Sequence, residues 1–539
     1  MADADKLLDD WVRAELGHDP VSGSELGLEG YDDKLGDFAA ASFEGRPAED
    51  RHWAGRFDRL TLDDLPFAQR IDVTVVLSRL AGRSVVDDWQ AWRRDPSLYL
   101  DPCLEGVFTL FLHHLRPEAE LVAAAIARLG QVRGVLGSAR ANLDPDLAPR
   151  LLVDRGLRAA GAGVRYLREL LPAEVTDDRL RADLAAAAAH AATAVEDFAA
   201  VLEGLGERAR GDWAIGDTRY SGLLKDRELL GYGASEMHAR GLVAWDQLNA
   251  EMTDLAAGID PAARGWQQVV SALAQDHPAS PEDMRAAYQQ ACGEARQFLV
   301  DHDLVTLPDD ERCDVVASPL FQRPVLAVAS YNAPPPFSAS TLGHFNVPFP
   351  PVGASAADLD QRLEDNSHHA IPTISVHEAY PGHHWQLTWS NRCQRKIRKV
   401  ITTPYFVEGW ALYAERMMHE QGFFADPRAV LGHLNARAFR AARIVVDTAL
   451  HTGEMTIEAA VEHMVTKGAL TPAVARAEVD RYCAWPTQAA SYLTGSLEIE
   501  RMRDRWMAEG RGGLKEFHDA IAGSPGLPLA LAELALFHA

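Results

Sequence analysis

Three histidines and a glutamate fall within one short stretch, His377-Glu378-Ala379-Tyr380-Pro381-Gly382-His383-His384. An acidic segment follows at Glu408-Gly409-Trp410-Ala411-Leu412-Tyr413-Ala414-Glu415. Imidazole nitrogens and carboxylate oxygens are the donors of a catalytic zinc site, and a glutamate beside a ligand is suited to general-base work there. In the common His-Glu-x-x-His pattern, two imidazoles four residues apart share one helical face. Here the fourth residue after His377 is Pro381, which offers no ligand. His383 and His384 follow at six and seven residues. On an undistorted helix the seventh residue lies about 20° from the first and the sixth about 120° away, which favours His384. Pro381 argues against an undistorted helix, because its ring clashes with the carbonyl of residue 377 at a cost of about 3 kcal/mol. Gly382 adds backbone freedom. A break at this pair would bring His383 into the second ligand position. His377 and His383 are therefore the preferred pair, with His384 as the alternative.

Glu408 is the expected third ligand, since the interval after His383 allows a helix, a loop and a return. Pro404 suits the first turn of that second helix. Its residues Phe406, Val407, Trp410, Ala411, Tyr413, Ala414 and Met417 are largely apolar, and a carboxylate among them needs a partner. Glu415, seven residues on, shares the face of Glu408 and is placed to orient a ligand histidine. Glu378 is the expected base toward a water activated by the metal. Further along, Arg440, Arg443, Asp447 and His451 form a polar stripe about 80° wide on an otherwise apolar helix. Such a stripe is either a solvated face or a buried seam that supports the site or binds a substrate carboxylate, for which arginine is well suited. Tyr492, within Gln488 to Gly495, is either an oxyanion donor or a structural phenol.

The elements that must carry these residues read as mostly helical. Pro117 to Leu129, Leu151 to Leu171 and Leu180 to Leu205 have helical spacing, and the alanine run from Leu184 to Ala194 favours helix strongly. A boundary is expected near residue 260, giving an N-terminal helical region over 1–260 and a catalytic region over 261–539. Strand-like segments occur only between about Asp314 and Pro350: Val315-Val316, Val325 to Ala329, and Gly343 to Val347. They suggest a small antiparallel ribbon beside the site. Helical spacing returns from Thr373 onward, interrupted from Pro486 to Gly495.

Composition sets the outer bounds. The chain has 539 residues, 47% hydrophobic and 24% charged, which is ordinary for a folded protein. A formal charge of -25 argues against a nucleic-acid partner and against an anionic membrane surface. The five cysteines are widely spaced, so neither a disulfide framework nor a thiolate zinc site is expected. With no disulfide framework expected and no basic, apolar leader in view, a reducing cytoplasm is the expected location.

At the residues quoted, the chain resembles the DUF885 family, uncharacterised proteins placed with the zincin-type metallopeptidases. The two acidic and histidine segments above carry the likeness, together with Arg443-Ile444-Val445-Val446-Asp447-Thr448-Ala449-Leu450-His451 and Gln488 to Gly495. The likeness is strongest over about residues 310 to 500. It implies a mainly α-helical, cleft-containing, zincin-like fold similar to helical oligopeptidases and carboxypeptidases, a zinc ion and peptide-bond hydrolysis, with a helical shell restricting substrates to short peptides or C-terminal residues. The rival readings are a metal hydrolase of a non-peptide amide or ester, and a catalytically silent protein that binds a metal or peptide.

Overall fold

The computed structural model describes residues 2–320, 322–323 and 328–538. The chain divides into two compact units. The first comprises Met1–Trp213 together with Pro334–Ser340. The second comprises Ala214–Ala333 and Thr341–Ala539. The division thus falls at 213/214, whereas the sequence places it near 260. The helix Ala234–Ile259 accounts for the difference, because it packs along Pro427–Thr452 in the second unit.

Helices make up the first unit. Asp178–Gly206 packs on both Glu118–Asn142 and Arg150–Arg165. Its alanines permit that approach, and Leu184, Ala188, Ala192, Val195 and Leu202 are fully buried. Asp177 caps it by accepting the Arg179 and Leu180 amides, each at 2.9 Å. This helix is also long and apolar enough to cross a membrane by length and composition. The proline-rich segment Pro334–Ser340 joins this unit, where the Phe337 amide donates to the Leu26 carbonyl at 3.0 Å.

The second unit holds all the sequence-derived site residues. Strands β1 (Arg312–Ala317), β2 (Ser330–Asn332) and β3 (Leu342–Val347) form one sheet in the order β1-β3-β2. β2 and β3 are antiparallel, but β1 and β3 are parallel, so the sheet is mixed rather than an antiparallel ribbon. The long connection between β1 and β3 makes the parallel pairing feasible, since a tight hairpin could not return the chain in the same direction. Of the expected strand Val325 to Ala329, residues 325–327 lie outside the described residues, and Val328 and Ala329 are not in a strand.

Four helices surround the histidine-rich stretch. Ile371–Glu378 is the first, with Pro372 in its opening turn, where the missing amide costs nothing. It packs against Pro281–Asp301, Pro404–Glu420 and Pro427–Thr452. Thr403 caps Pro404–Glu420 through the Tyr405 amide at 3.2 Å, as the Pro404 position suggests. That helix also crosses Ser491–Ala508, and there the backbones touch. A Cβ on Gly495 would lie 2.0 Å from the Tyr405 carbonyl oxygen, and one on Gly409 would lie 2.6 Å from the Gly495 Cα. Only glycines fit this crossing. The expected interruption also ends sooner than its sequence suggests, because helix resumes at Ser491 and puts Tyr492 in its first turn.

Candidate metal centre

The helix bearing His377 and Glu378 stops at Glu378, and a new helix starts at His383. The Gly382 amide folds back to donate to the Val376 carbonyl at 3.0 Å. Any side chain at Gly382 would collide with the His377 carbonyl oxygen, only 1.9 Å from an added Cβ. The Pro381 carbonyl accepts from the Trp410 indole at 2.8 Å, which ties the break to the helix carrying Glu408. The sequence thus breaks its own helix at Pro381-Gly382, and His383 turns beside His377. Their ring centroids are 4.9 Å apart and nearly perpendicular.

Glu408 closes the group. Its Oε2 lies 3.4 Å from His383 Nε2 and 3.7 Å from His377 Nε2. One donor atom from each of the three residues lies within 4.8 Å of the others. Zinc bound tetrahedrally at 2.0–2.1 Å would set its donors about 3.3 Å apart. The donor set is two imidazoles and one carboxylate, a common catalytic zinc set. The residues present therefore fit the ion.

Around these donors the carboxylates and imidazoles are strongly coupled. Glu415, 1% exposed, accepts from His377 Nδ1 at 2.7 Å, which leaves His377 Nε2 directed at the donor group. The other oxygen of Glu415 lies 3.4 Å from His433 Nδ1. Burial pushes Glu415 up, but hydrogen bonds from His377 and His433 outweigh it and bring the carboxyl down to about 2. Burial likewise opposes ionisation of Glu408, yet His377 and His383 hold it well below the usual carboxylate range. Burial would lower His377, but Glu408 and Glu415 raise it to about 10. A divalent cation would take the place of the protons these groups otherwise share. Glu378 shifts the other way. Burial raises its carboxyl, and the attraction of the two histidines does not cancel the effect.

His384 faces elsewhere. It is fully buried, with Nε2 2.6 Å from Glu311 Oε2 and Nδ1 2.8 Å from the Tyr331 hydroxyl. Tyr380 donates to the same Glu311 oxygen at 2.5 Å, and Arg296 donates to the other at 2.9 Å. Both ring nitrogens of His384 are occupied, so the donor group contains His383 and not its neighbour.

The polar stripe divides by role. Arg443 donates to Glu478 at 2.8 Å and to the Tyr482 hydroxyl at 3.1 Å, and its guanidinium lies 4.9 Å from the centre of the Tyr492 ring. Its charge is already met by an acid. Asp447, fully buried, accepts from the Tyr220 hydroxyl at 2.6 Å and the Thr487 amide at 3.1 Å, anchoring the loop before Tyr492. His451 Nε2 lies 2.9 Å from the Tyr482 carbonyl oxygen. These residues brace the wall that holds Tyr492; Arg443, Asp447 and His451 are buried and Arg440 is half-buried, so the stripe is not a solvated face. The Tyr492 hydroxyl accepts from Gln488 at 3.3 Å. Burial raises its phenol, and the nearby Glu408 carboxylate adds to the effect.

Sequence reasoning does not reach Glu311, Tyr331, His433, Tyr220 or Glu478. Each meets its partner across a long separation in the chain, and none sits in a spacing that marks it. An acidic residue directly before a strand was the only local sign of Glu311.

The chain belongs to the family described as bacterial proteins of unknown function, DUF885, which matches it over residues 20–536. No curated protein matches it. Solved structures that share its fold include the following two. One, from Shewanella oneidensis, is described as a "putative lipoprotein of unknown function". It is 20% identical, covers 98% of each chain and has a TM-score of 0.81. The other, from Colwellia psychrerythraea and described as a "putative lipoprotein", is 18% identical. It covers 100% of this chain and 98% of its own, with a TM-score of 0.84. The expected cytoplasmic location is corrected by these descriptions, since both neighbours are described as putative lipoproteins. Scattered cysteines were a weak guide to compartment, because a large protein with an ample core needs no disulfides outside the cytoplasm.

Proposed function

We propose that this protein is a zinc-dependent, zincin-like hydrolase that cleaves short peptides, with His377, His383 and Glu408 as ligands. The observation that carries the reading is the convergence of these three donors beside Glu378, with Glu415 fixing the orientation of His377. Zinc bound there would polarise the scissile carbonyl and acidify water. Glu378 accepts the proton of the attacking water, and the carbonyl carbon gains a C–O bond. The C–N bond then breaks, and Glu378 returns the proton to the departing amine. A carboxyl raised by burial is well suited to both halves of this transfer. Tyr492 is the donor for the developing oxyanion, held from behind by Arg443. The lipoprotein descriptions of both structural neighbours support an activity outside the cytoplasm.

The test combines metal analysis with turnover. The purified protein should hold about one zinc per chain and cleave a short-peptide library in a chelator-sensitive way. Glu378→Gln should keep the metal and lose cleavage by at least about a hundredfold. Full activity in that variant would remove Glu378 as the base. A zinc-loaded protein that hydrolyses only esters or non-peptide amides would overturn the substrate assignment.

A further inference from the structure

Three arginines follow one another at three-residue intervals on the helix Pro427–Thr452, and two of them have acids of their own. Arg437 is paired with Glu500, and Arg443 with Glu478. Arg440, between them, is different. Its Nη1 donates to the Ala436 carbonyl of its own helix at 3.0 Å, and its Nε is buried with no partner. Among the described residues, no carboxylate stands within ion-pair distance of it. It shares a helix face with His433, seven residues earlier, whose Nδ1 lies 3.4 Å from Glu415, and the charges of Glu415, Glu408 and Glu378 interact with its own. Arg440 thus stands beside the donor group and the base without being bonded to any of them. The residue as a whole is half-buried.

An arginine in such a place is costly unless an anion meets it. Glu378, Glu408 and Glu415 would repel an approaching carboxylate, so an anionic substrate needs a cation with donors to spare. Arg437 and Arg443 already meet acids, and Arg440 does not. We infer that Arg440 binds the free carboxylate of the substrate, which makes the preferred substrates peptides cleaved near an unblocked C-terminus. This inference rests on the peptidase reading above and narrows it. A guanidinium offers two parallel N–H donors to a carboxylate, which an amidated terminus cannot match.

The experiment uses the full-length, zinc-loaded Glu378→Gln protein, which binds without turnover. The probes are an N-acetylated tripeptide with a free C-terminus and its C-terminal amide, and calorimetry reads both affinities. The acid should bind at least about tenfold more tightly than the amide, the scale of a hydrogen bond to a charged group. Arg440→Met in the same background should abolish the difference. Should that variant fail to fold, Arg440→Lys decides, since a lone ammonium lacks the paired donors and should lower the acid-to-amide ratio. Equal binding of acid and amide, or a ratio unmoved by either substitution, overturns the inference. In the wild-type enzyme, equal cleavage of both peptides would overturn it while leaving the peptidase reading intact. No binding and no cleavage of any peptide would remove that reading and this inference with it.

Discussion

At the scale of single residues, the site is organised by which groups have their charge met and which do not. Asp447 shows what happens to a carboxyl whose burial outweighs its partners. Burial raises it to about 7, and hydrogen bonds from Tyr220 and the Thr487 amide only moderate the rise. The folded protein therefore holds this proton over a range where the unfolded chain, ionising near 4, has lost it. The contribution is full at acid pH and declines as pH rises from about 4 to about 7. Asp447→Asn removes that titration. Denaturant unfolding of both proteins at pH 4.5 and pH 7.5 should show wild type losing more stability than the variant across the interval. Parallel changes would mean that Asp447 is ionised in the folded state throughout. Much of this scale was legible in the sequence: the His-Glu pair, the Pro-Gly break and the later glutamates sit close in the chain and can be read by helical angle. What that angle gave wrongly was the bias toward His384, which the break reverses. Partners such as Glu311, Tyr331 and Glu478 were not legible, because only the tertiary fold brings them near.

Between elements, the closest approach is the crossing of Pro404–Glu420 with Ser491–Ala508. It aligns Glu408 on one helix with Tyr492 on the other, so the glycines at the crossing act on the site from a distance. Gly495→Ala would put a methyl group 2.0 Å from the Tyr405 carbonyl oxygen, where neither backbone can yield cheaply. The expected loss is about 2 kcal/mol or more, toward the upper range for overpacking. The shift in denaturant midpoint measures it, and a change below a few tenths of a kcal/mol would show that the helices can separate freely. Helices were readable from spacing, and the Thr403-Pro404 start was readable from its residue types. The mixed sheet was not, because strand direction depends on the path of a long connection and not on the strands' own residues.

Taken as a whole, the molecule keeps its entire donor group in the second unit, while the first contributes none of the candidate ligands. Zinc binding should therefore be felt unevenly. Its linkage energy grows with free metal, reaching about 4 kcal/mol at a thousand times the dissociation constant. Hydrogen exchange of the intact protein, with and without zinc, should show slower exchange in Ile371–Ser390 and Pro404–Glu420. Exchange in Glu118–Asn142 and Asp178–Gly206 should not change. Equal slowing everywhere would mean that the metal stabilises the chain as a single cooperative block. The boundary near residue 260 differs from the observed one because a break before Ala234–Ile259 and a break after it read alike in the sequence. Only the packing of Ala234–Ile259 tells them apart.

The environment of His384 has one more consequence. Neighbouring residues on a helix point about 100° apart, so two consecutive imidazoles cannot both address one small ion. The second ring sits in the interior with two polar nitrogens, and Glu311, just before β1, and Tyr331, on β2, supply what they need from far away in the chain. The short histidine-rich signature is thus not portable. Grafted onto a foreign scaffold without its acid and phenol, it would arrive with a stranded ring, and the graft would fail beside the metal rather than at it.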